Sequence, residues 1–304
     1  MYHIERMPRQ RGAVIQQNSN KNGLEYLTFP LLEQTGLVKH LFSTRTGGVS
    51  EGIYATMNLS FQRGDNPEHV LENYKRIGEV LGISPENMVA SRQTHTTNIR
   101  LVTAEDKGKG VMRPSDYEDI DGLLTSERGI ALVTSYADCV PLYFVDPVHK
   151  AIGLAHSGWR GTVQQMGARM VEAMAAHFET KPADLYAAIG PSICQACYEV
   201  SEDVAQEFEE LASGCQDILR EIRESGNYKE NAEIVISGRE PGKYQLDLWL
   251  ANLVILRKAG IPLSRIAITD ICTCHNPEYL FSHRASNGKR GNLCAFLALR
   301  ELDN

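Results

Sequence analysis

Apolar residues in this chain fall into short runs separated by polar, glycine-rich stretches, and helical periodicity is confined to a few segments. Leu24–Leu32 and Leu37–Ser43 read as short strands, the second entering the polar loop Thr44–Ser50. The period then changes. Val70, Leu71, Tyr74, Ile77 and Leu81 recur at helical spacing, with Asn66 as N-cap, Pro67 in the first turn and Gly82 to close the end. A second strand pair is expected to bracket Ser91–Thr97, and Gly122–Leu124 and Ile130–Thr134 read as further strands. Val140–Val145 and Ala151–Ala155 flank the turn-like Asp146–Lys150, which predicts a hairpin. Its residues are apolar on both faces: Tyr143, Val145, Ile152 and Leu154 on one, Leu142, Phe144 and Ala155 on the other. Such strands lie sandwiched between layers.

Beyond the hairpin a helix is expected with Val163, Met166, Met170, Val171 and Met174 inward. Gly190 ends another strand, and Ser201 caps an acidic helix running to about Ala212. Residues 213–245 read as a polar insertion around a short helix. Leu246–Ala259 is a strong helix closed by Gly260 and Pro262, Ile266–Ile271 a strand, and Cys294–Leu299 a last apolar helix. Strands and helices mix without clean βαβ alternation, so the fold class is α+β, in layers.

The polar residues 1–23 lack the apolar core of a secretory signal. They are expected to form a loosely held extension ahead of a single domain over residues 24–304. A net charge of -7 gives no electrostatic reason to expect a nucleic-acid or anionic-membrane partner. No apolar run approaches the roughly 20 residues that span a bilayer. Seven cysteines are too sparse for a disulfide scaffold in 304 residues, which points to a reducing cytoplasm.

Those cysteines then need explaining as packing, metal ligation or chemistry. If the hairpin turn centres on the Pro147–Val148 bond, Cys139 lies directly opposite His156, close enough to share a metal ion or to act as nucleophile and base. Asp138, Ser157 and Arg160 make the surroundings polar. His95, in a Thr-rich stretch, is the best third group. Arg45 with Gly47 and Gly48, and Arg160 at the helix opening after His156, are candidates for meeting an anion. Cys194-x-x-Cys197 with Cys272-x-Cys274 could hold a structural zinc, although small buried thiols explain them more simply.

The motifs FSTRTGGVS (Phe42–Ser50), QTH (Gln93–His95), ADCVP (Ala137–Pro141), HSGWRG (His156–Gly161), GPSI followed by YEV, and FSHR resemble, in this order, the YfiH/LACC1 family. The resemblance implies a layered α/β/β/α fold, distantly similar to toxin deamidases that use a Cys–His pair. It implies a zinc held by His95, Cys139 and His156, which are also the catalytic residues. The implied activities are phosphorolysis of adenosine, inosine, guanosine and methylthioadenosine, and deamination of adenosine. Purine nucleosides and phosphate would be the partners. Arg45, Gly47, Gly48, Arg160 and Arg284 are the candidates for phosphate, with Asp138, Cys272 and His283 open as proton donors to the purine. Thr96 and Ala285 depart from the family pattern. Members were once labelled laccases, but a trinuclear copper cluster needs several His-x-His pairs, and none occurs among nine histidines. Copper is expected only as an adventitious occupant with oxidase side activity. A metal-free hydrolase or deamidase, with Cys139 as nucleophile and His156 as base, is the alternative.

Overall fold

A computed structural model describes residues 1–8, 15–226 and 228–301. The chain runs through β1 (Gln16–Ser19), β2 (Glu25–Thr28), the single turn α1 (Pro30–Glu33), β3 (Val38–Ser43) and α2 (Pro67–Leu81). Next come β4 (Met88–Ala90), β5 (Ile99–Leu101), β6 (Gly122–Thr125), β7 (Ala131–Tyr136) and the hairpin β8 (Val140–Asp146) and β9 (Ala151–Ser157). Helices α3 (Trp159–Val163) and α4 (Met166–Phe178) precede β10 (Tyr186–Ile189), β11 (Glu199–Ser201), α5 (Glu202–Ser213) and α6 (Gln216–Glu224). The remainder is β12 (Val235–Ser237), β13 (Lys243–Leu246), α7 (Leu248–Lys258), β14 (Ile266–Ile268) and β15 (Leu293–Leu299).

Two six-stranded mixed sheets carry the fold, ordered β1-β2-β3-β15-β7-β4 and β14-β10-β8-β9-β6-β5. Phe42, Leu132 and Leu297 of the first meet Tyr143, Val145, Ile152 and Leu154 of the second in one core. The outer face of the first sheet packs Leu41, Val133 and Phe296 against Val70, Tyr74 and Ile77 of α2. The outer face of the second packs Leu142, Phe144 and Ala155 against Met166 and Met170 of α4 and Leu250 and Val254 of α7. The layers are therefore α/β/β/α, and the two faces of the hairpin divide as the alternation predicted. Buried aromatic hydroxyls are satisfied across the gap between sheets: Tyr136 donates to the Ala155 carbonyl at 2.9 Å and Tyr143 to that of Leu41 at 3.1 Å.

The α2 boundaries follow their signals. The Asn66 side chain accepts from the Glu68 amide and Gly82 takes the left-handed conformation at φ 63. Four expectations need correction. Cys294–Leu299 is not a helix but most of β15, paired with β3 on one side and β7 on the other. Its residues are apolar all round because both faces are covered. The hairpin register is shifted by two residues: Asp146 pairs with Ala151 around a four-residue turn, so His156 faces Pro141. Cys139 is thus a diagonal neighbour of His156, and an even shift keeps both on one face. The 213–245 region is more than a loop around a helix, since β12 and β13 join β11 in a third, three-stranded sheet. Packing also begins ahead of Leu24. Ile4 and Ile15 are buried, Arg6 pairs with Asp270 at 2.9 Å, and β1 pairs with β2. Residues 9–14 of that segment lie outside the described part.

Candidate metal centre and active site

Two loops and the end of a strand converge at one end of the sandwich. His95 stands in the loop between β4 and β5, Cys139 just ahead of β8, and His156 near the end of β9. One ligand atom from each lies within 4.8 Å of the other two. Cys139 Sγ is 3.9 Å from His95 Nε2, and the two imidazoles meet edge-on at 4.9 Å between centroids. His156 is buried, Cys139 half-buried and His95 exposed, so the cluster has one protein side and one open side. Gly158 is required here: a Cβ would stand 2.9 Å from His95 Cδ2 and 3.0 Å from Cys139 Sγ.

Asp121, fully buried just before β6, organises the cluster. Its Oδ1 accepts from His156 Nδ1 at 2.7 Å and from the His95 amide at 3.1 Å. Its Oδ2 accepts from the Thr94 and Thr96 amides, each at 3.0 Å, and from the Thr96 hydroxyl at 3.1 Å. Three consecutive amides cupped around one carboxylate make an anion nest filled from within. That cup holds His95 at φ 68, a left-handed conformation costly for a residue with a Cβ. The same carboxylate fixes the His156 tautomer and turns Nε2 towards Cys139, the support that metal-binding histidines usually carry.

With no ion between them, Cys139 and His156 form a charge pair. Burial opposes a Cys139 thiolate, but the charge of His156 and hydrogen bonds from both histidines outweigh it and bring the thiol down to about 6. Burial likewise disfavours an imidazolium at position 156, yet the thiolate and Asp121 push that group up to about 9. Charges of this kind, held at strand ends, suit either metal ligation or nucleophilic chemistry.

The cluster forms one wall of a cavity of about 640 Å³, with Gln93, Asn292, Tyr198, His283, Arg284 and Arg290 among its other walls. Of the five residues expected to meet phosphate, Arg284 alone borders this cavity. Its guanidinium donates to the Cys197 and Glu199 carbonyls at 2.9 and 3.1 Å, and its amide to Asp138 at 2.7 Å. Arg45 is turned elsewhere, bonded to the Ala55 and Pro277 carbonyls and stacked 4.5 Å from the Phe281 ring. Gly47 and Gly48 serve close backbone packing, since a Cβ would fall 2.4 Å from Leu24 Cα and 2.1 Å from the Thr56 carbonyl oxygen. Arg160 lies over Trp159 on the exposed turn of α3. Among the proton-donor candidates, Cys272 is buried away from the cavity, and both Asp138 oxygens are engaged, by Arg284 and by the Thr273 hydroxyl at 2.7 Å. His283 lines the wall.

Four arginines border the cavity, Arg63, Arg92, Arg284 and Arg290, and the last is the one sunk into the protein. It is buried, its Nε has no hydrogen-bond partner, and one terminal nitrogen reaches Asn292. Burial and the neighbouring Arg63, which also borders the cavity, bring its pKa down to about 10. Among the described residues no carboxylate lies within ion-pair distance of either arginine. Arg63 and Arg290 sit in polar stretches with no motif around them, and Asp121 is one acid in the acidic run Asp116–Asp121. Only the general rule that a buried charge needs a partner could have singled them out.

Four layers with a His/Cys/His cluster at one end, a candidate metal site beside a cavity bordered by arginines, define the class of protein. The family described as "Multi-copper polyphenol oxidoreductase laccase" matches residues 39–300, and the chain belongs to it, the YfiH/LACC1 family. The purine nucleoside phosphorylase YlmD of Bacillus subtilis is 33% identical over 261 residues, covering 86% of this chain and 88% of that protein. The purine nucleoside phosphorylase LACC1 of Mus musculus is 30% identical over 288 residues, or 92% of this chain and 60% of that longer one. The crystal structure of YlmD from Geobacillus stearothermophilus superposes with a TM-score of 0.81 at 32% identity, covering 95% of this chain and all of that one.

Proposed function

We propose that this chain is a zinc-dependent purine nucleoside phosphorylase, converting adenosine, inosine, guanosine or methylthioadenosine with phosphate to free base and the ribose 1-phosphate. The observation that carries the proposal is a His/Cys/His cluster opening onto the same cavity as a buried arginine that has no carboxylate partner among the described residues. The three donors fit zinc: two imidazoles and a thiol lie within mutual reach, one histidine is braced by a carboxylate, and one side is open. His95, Cys139 and His156 would hold the ion, which would supply Lewis acidity at this end of the cavity.

The chain's own residues would do the rest. Arg290, with Arg63 and Arg284, binds phosphate and offsets its charge, since guanidinium forks match its oxygens. Held against the anomeric carbon, a phosphate oxygen forms the new C–O bond as the C–N bond to the purine breaks and the base leaves with the electron pair. His283 supplies the proton to the leaving base. Burial and Arg290 lower its pKa, and bound phosphate reverses the Arg290 contribution. Adenosine deamination at the same centre belongs to the proposal, as does a cytoplasmic setting, which suits seven free cysteines. Copper would be an adventitious occupant.

The thiolate–imidazolium pair also favours a second reading, a metal-free hydrolase or deamidase with Cys139 as nucleophile. Both are tested by base release from inosine and adenosine with and without phosphate, beside zinc analysis of untagged protein. Phosphate-dependent release, lost with the zinc in His95→Ala and Cys139→Ala, supports the phosphorylase. Release that ignores phosphate overturns it, and zinc-free protein with full activity supports the hydrolase.

A further inference from the structure

A second cluster lies apart from the cavity. Cys194 and Cys197 follow β10, and Cys272 and His275 follow β14; these two strands are parallel neighbours in the second sheet. One ligand atom from each of the four residues lies within 4.8 Å of the others. Tetrahedral zinc, with bonds of ~2.3 Å to sulfur and ~2.0–2.1 Å to nitrogen, separates its ligand atoms by ~3.6–3.8 Å. Three thiols and an imidazole at this spacing are therefore within a small adjustment of closing on one ion. The sequence pattern pairs Cys274 with the other three thiols, and the fold puts His275 in its place.

From this geometry we propose that Cys194, Cys197, Cys272 and His275 form a closed structural zinc site. Plain packing accounts for buried thiols but not for His275, whose Nδ1 is buried without a hydrogen bond and, among the described residues, has only Glu5 Oε1, 4.0 Å away, as an ion-pair partner. A disulfide would use two sulfurs and leave the third thiol and the imidazole unexplained. The supporting contacts are those a metal site needs. Cys272 Sγ accepts from the Cys194 amide at 3.3 Å. The buried Asn276 side chain donates to the Cys272 carbonyl at 2.9 Å and to that of Glu5 at 3.0 Å, bracing the turn. Four protein ligands leave no open position, so the role is structural. The ion would join the two loops that steady Asp138, the residue before Cys139: the Ile193 amide donates to the Asp138 carbonyl at 2.9 Å and the Thr273 hydroxyl to its carboxylate.

The test counts zinc by elemental analysis in the full chain, and it does not depend on the phosphorylase reading. His95→Ala/Cys139→Ala, which dismantles the catalytic cluster, is expected to retain one zinc per chain and to unfold at a lower temperature once that zinc is stripped. Adding Cys194→Ser/His275→Ala should remove it. Should that variant not fold, Co²⁺ exchanged into His95→Ala/Cys139→Ala is expected to give the strong thiolate charge-transfer absorption of a multi-thiolate tetrahedral site. In the same protein a thiol reagent should release zinc in step with three cysteines. A His95→Ala/Cys139→Ala protein with no zinc and no Co²⁺ uptake overturns the inference. So does an unreduced mass lighter by two hydrogens from a disulfide within the cluster.

Discussion

Replacing Asp121 with asparagine keeps the shape of the side chain and removes half of its acceptor capacity. Two orientations are open to the amide. With its oxygen at the Oδ2 position, Thr94 and Thr96 keep their acceptor, but the amide hydrogens face the His95 N–H and His156 Nδ1. His156 can accept from them only by moving its proton to Nε2, which withdraws that nitrogen from the ligand set. With the oxygen at Oδ1, the two threonine amides are stranded instead, and the cup that holds His95 opens. Hydrogen bonds to charged groups are worth ~1.5–3 kcal/mol each, so losing one and converting another should cost ~2–4 kcal/mol of folding stability. Loss of such support weakens metal binding by about 10–100-fold, or ~1.4–2.8 kcal/mol. The assay is a zinc competition titration against a chromophoric chelator, with urea unfolding on the same samples. Asp121→Asn holding zinc within about twofold of wild type, at unchanged stability, would refute the assignment of Asp121 as the residue that orients the centre.

Further outcomes follow from the same geometry. Arg290→Gln should raise the phosphate KM by ~10–100-fold, the worth of one charge-assisted contact, with little change in nucleoside KM; initial rates against both substrates separate the two. Arg45→Met should leave phosphate KM unchanged and lower the unfolding midpoint, since its guanidinium serves two carbonyls and an aromatic face. In metal-free protein, the rate of Cys139 alkylation by iodoacetamide should rise with pH through about 6. The midpoint should move up in His156→Gln, where only His95 is left to oppose burial. The signs on stability are opposed: the depressed Cys139 contributes above its ordinary thiol pKa and loses that contribution as pH falls through 6. The raised His156 contributes below its ordinary value and loses it as pH rises through 9. The two slopes cancel between the ordinary imidazole value of 6.5 and the raised value of about 9, so unfolding midpoints of the metal-free protein should be nearly flat across that range. Gly158→Ala should fold yet weaken zinc binding, because the added methyl meets His95 and Cys139 inside contact distance, an overpacking cost of ~1–3 kcal/mol.

What the chain discloses by itself depends on how local each signal is. Helix α2 is written in adjacent residues, Asn66 and Pro67 at one end and Gly82 at the other, and its boundaries agree with them. The hairpin faces were legible because alternation has a period of two, and this also explains why the wrong register did no harm. A turn of four residues in place of a tighter one shifts the pairing by two and leaves every side chain on its own face. β15 was not legible as a strand. CAFLAL lacks a polar face, and a short apolar run covered on both sides has no period by which to separate strand from helix. Asp121 and Arg290 were hidden for another reason. Their roles come from what surrounds them in space, a cup of amides 25–27 residues upstream in one case and a cavity shared with Arg63 in the other.

Strand β15 has a consequence for how the protein is made. It lies in the middle of the first sheet, between β3 and β7, yet it consists of residues 293–299. During synthesis β3 and β7 are finished more than 150 residues earlier, and neither has its neighbour until those seven residues have been added. At translation speeds of ~5–20 residues per second the wait is on the order of ten seconds. Throughout it, two apolar strand edges are open to any other chain with an unpaired edge of its own. Premature termination before residue 293 would make that condition permanent. Such fragments should fail as aggregates cleared by chaperones and proteases, not as weakened enzymes.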